Sequence, residues 1–138
     1  MEMTQEILDR LNNNTLYNSL GITIEEADKG RARSRLEPNA DLCWPFPGQP
    51  HGGILFTQMD TTLSWAICTL LESGQSCTTI NLDIQFTSRA QTDLIICSAW
   101  ATHRTKRMSF GRADIHDQEG NLLAIGQGAF RIIKDSMF

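Results

Sequence analysis

Gly52-Gly53-Ile54-Leu55-Phe56-Thr57-Gln58-Met59-Asp60-Thr61-Thr62-Leu63-Ser64-Trp65-Ala66-Ile67-Cys68-Thr69-Leu70-Leu71-Glu72 is the stretch from which the rest of the chain is read. Ile54, Leu55, Met59, Leu63, Ala66, Ile67 and Leu70 fall at helical spacing. The spacing predicts one long helix over 52–72, ended by Gly74 as a C-cap glycine. The helix is apolar round much of its girth, so a sheet should wrap it rather than merely underlie it.

Working outward, nearly everything after the helix reads as strand. Residues 78–87 alternate, with Ile80, Leu82, Ile84 and Phe86 on one face and Asn81, Asp83 and Gln85 on the other. Strands over 94–103, 108–117 and 122–134 follow, the last two joined by a turn at Gln118-Glu119-Gly120-Asn121. Upstream, 21–28 and 31–37 read as a hairpin about Lys29-Gly30. Residues 38–50 form a loop, because proline and glycine there forbid regular structure. A short amphipathic helix over 5–13 has Thr4 as its N-cap and is stopped by Asn12, Asn13 and Asn14. The plan is α+β: one domain over 1–138, its central helix wrapped by a mostly antiparallel six-stranded sheet.

Composition sets bounds. The 138 residues suit one domain, and 41% hydrophobic content is ordinary for a globular chain. Twelve Lys and Arg against sixteen Asp and Glu give a net charge of −4, which argues against a general nucleic-acid binder. The polar, acidic N-terminus lacks the basic and apolar regions of a signal peptide. The uncharged stretch before Asp60 is broken by proline and glycine, and 61–71 is too short to span a bilayer. Cys43, Cys68, Cys77 and Cys97 form no CxxC pair, so neither a zinc site nor a redox motif is suggested. A cytoplasmic protein with reduced thiols is expected, with Cys68 and Cys97 in the core and no membrane partner.

The chemistry concentrates in the run from His51 to Asp60. His51, Gly52 and Gly53 open the predicted helix, although each glycine costs about 1 kcal/mol against alanine in a helix. Glycines there suit close approach of a ligand to the backbone. The unpaired N–H groups and the positive end of the helix dipole make an oxyanion site for an ester or thioester carbonyl. Asp60 lies inside the helix among Met59, Leu63 and Trp65, against propensity and burial. A solvent-facing position or a buried hydrogen-bond acceptor would also account for it, and a loop or capping role would account for His51. Nine helical residues rise about 13.5 Å and turn about 900°, so His51 and Asp60 of one chain point to opposite sides. A symmetric dimer would pair one chain's helix N-terminus with the other's Asp60.

His51-Gly52-Gly53, six further residues and Asp60, within a mixed apolar helix, resemble the hotdog-fold acyl-CoA thioesterases of the phenylacetate-pathway (PaaI-like) type. The similarity spans roughly residues 15–134. The resemblance implies that Gly53 or Gly52 supplies the carbonyl-polarising N–H. It implies that Asp60 of a second copy acts as nucleophile or as general base on water. A Ser or Thr at the start of the following strand often assists, a place matched by Thr79 or Thr78. Family members form dimers with a continuous sheet, often paired into tetramers. His51 would orient the loop or the thioester. Where many members have Asn, six residues before the His, this chain has Pro45, and Arg89 replaces a common proline after the third strand. Phe46-Pro47-Gly48-Gln49-Pro50 also resembles the loop of β-hydroxyacyl-carrier-protein dehydratases, but Pro45 stands where their His begins it. The Asp and His spacing of (R)-specific hydratases is absent. A hydratase or dehydratase, or a non-catalytic acyl-CoA or lipid-binding protein, is therefore the alternative to a thioesterase.

No Lys or Arg lies between Arg35 and Arg89. The basic turn His103-Arg104-Thr105-Lys106-Arg107, with Arg89 or Arg112, is the candidate contact for the phosphates of coenzyme A, an ordinary solvated hairpin being the other reading. Arg31, Arg33 and Arg35 alternate on what should be a solvent face. Phe46, Gln58 and Met59, with Trp44 and Trp65, could line an acyl pocket, though aromatic and Met side chains also serve as core or interface. His103 and His116 lack metal-ligand spacing, and neither metal nor redox cofactor is implied.

Overall fold

The computed structural model describes residues 2–42 and 49–135. Two short helices, α1 (Gln5–Asn12) and α2 (Thr15–Leu20), precede strands β1 (Ile22–Asp28) and β2 (Arg31–Leu36). The long helix α3 (Gly52–Cys68) follows, then β3 (Ser76–Phe86), β4 (Ile95–Arg104), β5 (Met108–Asp117) and β6 (Leu122–Ile133). The six strands form one sheet in the order β1-β2-β4-β5-β6-β3, every neighbouring pair antiparallel. The helix α3 packs against all six strands. This is the hotdog fold, α+β, with the helix enclosed as its apolar girth requires.

The core lies between α3 and the inner sheet face. Met59, Leu63, Ala66 and Ile67 have no exposed surface, and Ile95, Ile115, Ala124 and Phe130 meet them fully buried from the sheet. Cys68 and Cys97 join this core as expected. Burial pushes the Cys97 thiol up to about 12, so it stays a protonated, apolar group.

The N-terminal asparagines do more than stop a helix. Asn14 caps α2, an element the sequence reading missed, by accepting from the Tyr17 N–H at 2.9 Å. Asn12 pins α1 to β1: its amide donates to the Ile24 carbonyl at 2.9 Å and accepts from the Ile24 N–H at 2.8 Å, where β1 bulges. Gly21, at φ 79°, then ends α2 in the left-handed conformation that glycine adopts without strain.

The long helix stops at Cys68, short of the expected Glu72, because its end is held from outside. The Thr69 hydroxyl donates to the Ala66 carbonyl and accepts from the Gly30 N–H, both at 2.7 Å, tying the helix to the β1–β2 turn. Leu70 and Leu71 then close i→i+3 bonds onto Ile67 and Cys68. Gly74, at φ 80°, belongs to the turn before β3 rather than to a cap. That strand starts two residues earlier than expected, and its register shifts between Thr79 and Asn81.

The sheet's edges are β1 and β3, and on β3 apolar side chains are left open: Ile80 is 59% and Phe86 52% exposed. A long apolar edge strand is a template for pairing with another chain.

The tightest meeting of helix and sheet is at Gly126 in β6. A Cβ there would stand 2.3 Å from the Met59 sulfur and 2.7 Å from the Asp83 carbonyl oxygen. Gly126→Ala should therefore lower stability by about 1–3 kcal/mol, the usual range for an overpacked core. A urea unfolding midpoint within error of wild type would refute this close approach.

Candidate functional site

The site begins at the N-terminus of α3. His51 is the N-cap, and its Nδ1 accepts from the Gly53 N–H at 2.8 Å. That bond requires an unprotonated Nδ1, leaving Nε2 to carry the proton of the neutral ring. The Gly53 N–H expected to polarise a carbonyl is thus engaged by the cap. The Gly52 N–H, first in the helix, has no intrahelical acceptor. The two glycines leave room for rings of this chain itself. A Cβ at Gly52 would lie 3.1 Å from the Phe86 ring, and one at Gly53 would lie 2.9 Å from His51 Nδ1. The open approach expected of a ligand to Gly53 is occupied by imidazole.

A cleft of about 400 Å³ opens beside this helix end, lined by Gln49, Pro50, Gly52, Leu55, Phe86 and Arg89 among others. Arg89 thus stands where its charge can face an anion near the Gly52 N–H.

Two turns further along α3, Asp60 is half-buried and faces β3. The Thr79 hydroxyl donates to its carboxylate Oδ1 at 2.7 Å. The Thr79 bond comes from the same chain and fixes the carboxylate's orientation. Ser64, one turn on, donates its hydroxyl to the Asp60 backbone carbonyl at 2.8 Å.

Tyr17 is the residue the sequence reading missed. It is the only tyrosine in the chain, and α2 carries it against α3. Its phenol oxygen accepts from Trp65 Nε1 at 2.9 Å. Burial pushes the phenol's pKa above its ordinary value, opposed by hydrogen bonds to Trp65 and Thr61 and assisted by the nearby charge of Asp60. Tyr17 therefore stays protonated beside the carboxylate. The available signal was a lone tyrosine three residues after Asn14.

Other expected positions fall elsewhere. Gln58 and Met59, expected to line an acyl pocket, have no exposed surface. Met59 fills the space against Gly126. Gln58 donates to Ser34 Oγ at 3.3 Å and to the Ile95 carbonyl at 3.2 Å, and Ser34 shares a 2.7 Å hydrogen bond with Thr62. These are contacts that bind helix to sheet. Trp65 is buried against Tyr17.

Arg104, expected to meet phosphate, instead donates to the Leu70 carbonyl and, at 3.4 Å, to Gln75 Oε1. It bonds to the chain just beyond the C-terminal end of α3, where a cation complements the helix dipole. Lys106 and Arg107 are exposed on the turn just beyond it. Seventeen helical residues, about 25 Å of rise, separate that end from the Gly52 cleft in the same chain. The basic turn therefore does not serve that cleft within one copy. Phe46, Trp44 and Pro45 lie outside the described residues. Among the described residues, no cluster of three or more His, Cys, Asp or Glu could hold a metal ion. No helix among them is long and apolar enough to cross a membrane.

Comparison with known proteins places this geometry. The family model of the thioesterase superfamily matches residues 48–124, which span α3, β3, β4 and β5. A relative in Halobacterium salinarum, provisionally named an esterase, is 30% identical over 129 residues, covering 87% of this chain and 85% of its own length. A thioesterase from Haemophilus influenzae superposes with a TM-score of 0.89 at 20% identity, covering 97% of this chain and 93% of that one. The E. coli PaaI protein, from the phenylacetic acid degradation operon, superposes at 0.82 with 22% identity, over 93% and 91% of the two chains. At such identities the superpositions speak for the fold.

The His51 cap yields a direct check. His51→Ala should lower stability by about 1 kcal/mol, the usual cost of losing an N-cap, and His51→Asn should recover most of it. Equal unfolding midpoints for wild type and the alanine variant would show that the Gly53 bond holds nothing in place.

Proposed function

The chain belongs to the thioesterase superfamily, and on that premise we propose that it hydrolyses an acyl- or aryl-CoA thioester in a site shared by two copies. The observation that carries the proposal is the Thr79–Asp60 hydrogen bond of 2.7 Å, which holds a half-buried carboxylate toward an open apolar edge strand. Gly52 and Asp60 are eight helical residues apart, about 12 Å along the axis, too far to serve one carbonyl within one chain. The exposed Ile80 and Phe86 on β3 fit a second copy pairing edge to edge about a two-fold axis. That arrangement sets the Asp60 of one protomer toward the Gly52 end of its partner. Pairing of two such dimers into a tetramer is compatible with the same protomer.

In the proposed reaction the thioester oxygen is held by the Gly52 N–H at the positive end of the helix dipole, with Gly53 joining if the His51 ring swings aside. Asp60 attacks the carbonyl carbon directly or takes a proton from the attacking water, and the thiolate of coenzyme A leaves. Thr79 keeps the carboxylate aimed, His51 orders the helix entrance, and Arg89 draws the anionic tail of the substrate to the cleft. The exposed Lys106 and Arg107 add positive charge for that tail only from the second copy. The polarising N–H and the base that acts both belong to the chain itself.

Thiol release from short, medium and aromatic acyl-CoAs, followed with a thiol reagent, tests the reading. Asp60→Asn should cut turnover by about 10²–10⁴-fold, the range for removing a positioned acid or base, with dimer mass and unfolding midpoint unchanged. Undiminished turnover in that variant removes Asp60 from the mechanism. A monomeric mass in sedimentation would overturn the shared site.

A further inference from the structure

We propose that Cys68 and Cys77 are a dithiol pair that closes to a reversible disulfide under a hydroperoxide, tying the C-terminal end of α3 to the start of β3. The proposal is independent of the hydrolytic reading. The two sulfurs are 3.6 Å apart although they come from different elements, and Cys77 Sγ also lies 3.8 Å from the Ser64 carbonyl. A disulfide needs about 2.05 Å, so a closure of about 1.5 Å completes the bond. The intervening segment is a turn, Thr69 to Gln75, outside both regular elements, which can take up so small a movement.

The partners are unequal in a way that sets the order of events. Cys68 is 1% exposed, whereas Cys77 is only partly buried. A hydrogen bond from the Cys68 thiol stabilises the Cys77 thiolate and lowers its pKa, while the same bond and burial push Cys68 up. Cys77 is the accessible nucleophile and Cys68 the resolving thiol. The Cys77 thiolate attacks one peroxide oxygen, the O–O bond breaks, and hydroxide or alkoxide leaves with Cys77 as a sulfenic acid. Cys68 sulfur then attacks Cys77 sulfur, the S–O bond breaks, and the hydroxide leaves as water with the Cys68 proton. Two thiols lose two electrons, and the peroxide is reduced to two waters, or to an alcohol and water.

The link falls on the strand that orients the site carboxylate. Thr79, two residues beyond Cys77, makes the hydrogen bond to Asp60. Cys97 is fully buried and takes no part.

The test uses the whole, native protein treated with hydrogen peroxide, blocked with an alkylating reagent and digested with trypsin and a Glu-specific protease. Glu72 separates the two cysteines and Arg89 separates Cys77 from Cys97, so the fragments 36–72 and 73–89 remain together only through a new covalent link. The expected product is their cross-linked pair, two hydrogens lighter than the sum, with fragmentation placing the link at Cys68. Two thiols per chain disappear and return with dithiothreitol. In Cys68→Ser the reaction should stop at a Cys77 sulfenic acid, trapped by dimedone. Separate fragments, a link through Cys43, or direct passage of Cys77 to sulfinic acid beside a free Cys68 would each overturn the proposal.

Discussion

Enclosing α3 is the constraint from which the other features follow. An α-helix with Leu55, Met59, Leu63, Ala66 and Ile67 buried cannot rest on one flat surface, because its apolar residues occupy too much of its circumference. Six antiparallel strands curve round it, and every strand touches it. Glycines let the backbones close in, as where Met59 meets Gly126. One edge of the wrap is β3, which still presents apolar side chains outward. The core is complete within one chain, while the β3 edge keeps Ile80 and Phe86 exposed.

The same constraint explains how one helix can carry both halves of the proposed site. The N-terminus of α3 escapes the sheet at the cleft between Gly52, Phe86 and Arg89. The Gly52 N–H has no intrahelical acceptor there, whereas the Gly53 N–H is taken by the His51 ring. Asp60 occurs where α3 turns its side toward the edge strand, the one side on which a carboxylate avoids the full cost of burial. On the covered side Gln58, Ser34 and Thr62 bond to one another and, through the Gln58 amide N–H, to the β4 backbone, while Gln58 Oε1 is buried without a partner.

The far end of α3 is held by different means. Thr69 bonds to the β1–β2 turn, Arg104 donates from β4 to the Leu70 carbonyl just beyond the helix, and Cys68 meets Cys77. Three separate elements thus converge on one helix terminus. This anchoring fixes the axial position of α3 and with it the height of Asp60 against Thr79.

By itself the sequence determined the helix, the six strands, their α+β arrangement and the run from His51 to Asp60. These depend on periodicity and on local backbone chemistry, which neighbouring residues set together. It also placed Cys68 and Cys97 in the core, and its resemblance to the hotdog thioesterases implied a role for Thr79 or Thr78. Tertiary structure alone decided that Gln58 and Met59 face inward, that the exposed Arg104 bonds to the chain just beyond α3, and that α3 ends at Cys68. It decided as well that Tyr17 lies beside Trp65, that the Gly53 N–H is taken by His51, and that two cysteines nine positions apart nearly touch. Periodicity says that a residue lies on a face of its own element. What that face meets is fixed only when distant segments pack, because burial and hydrogen-bond partners are properties of the assembled neighbours.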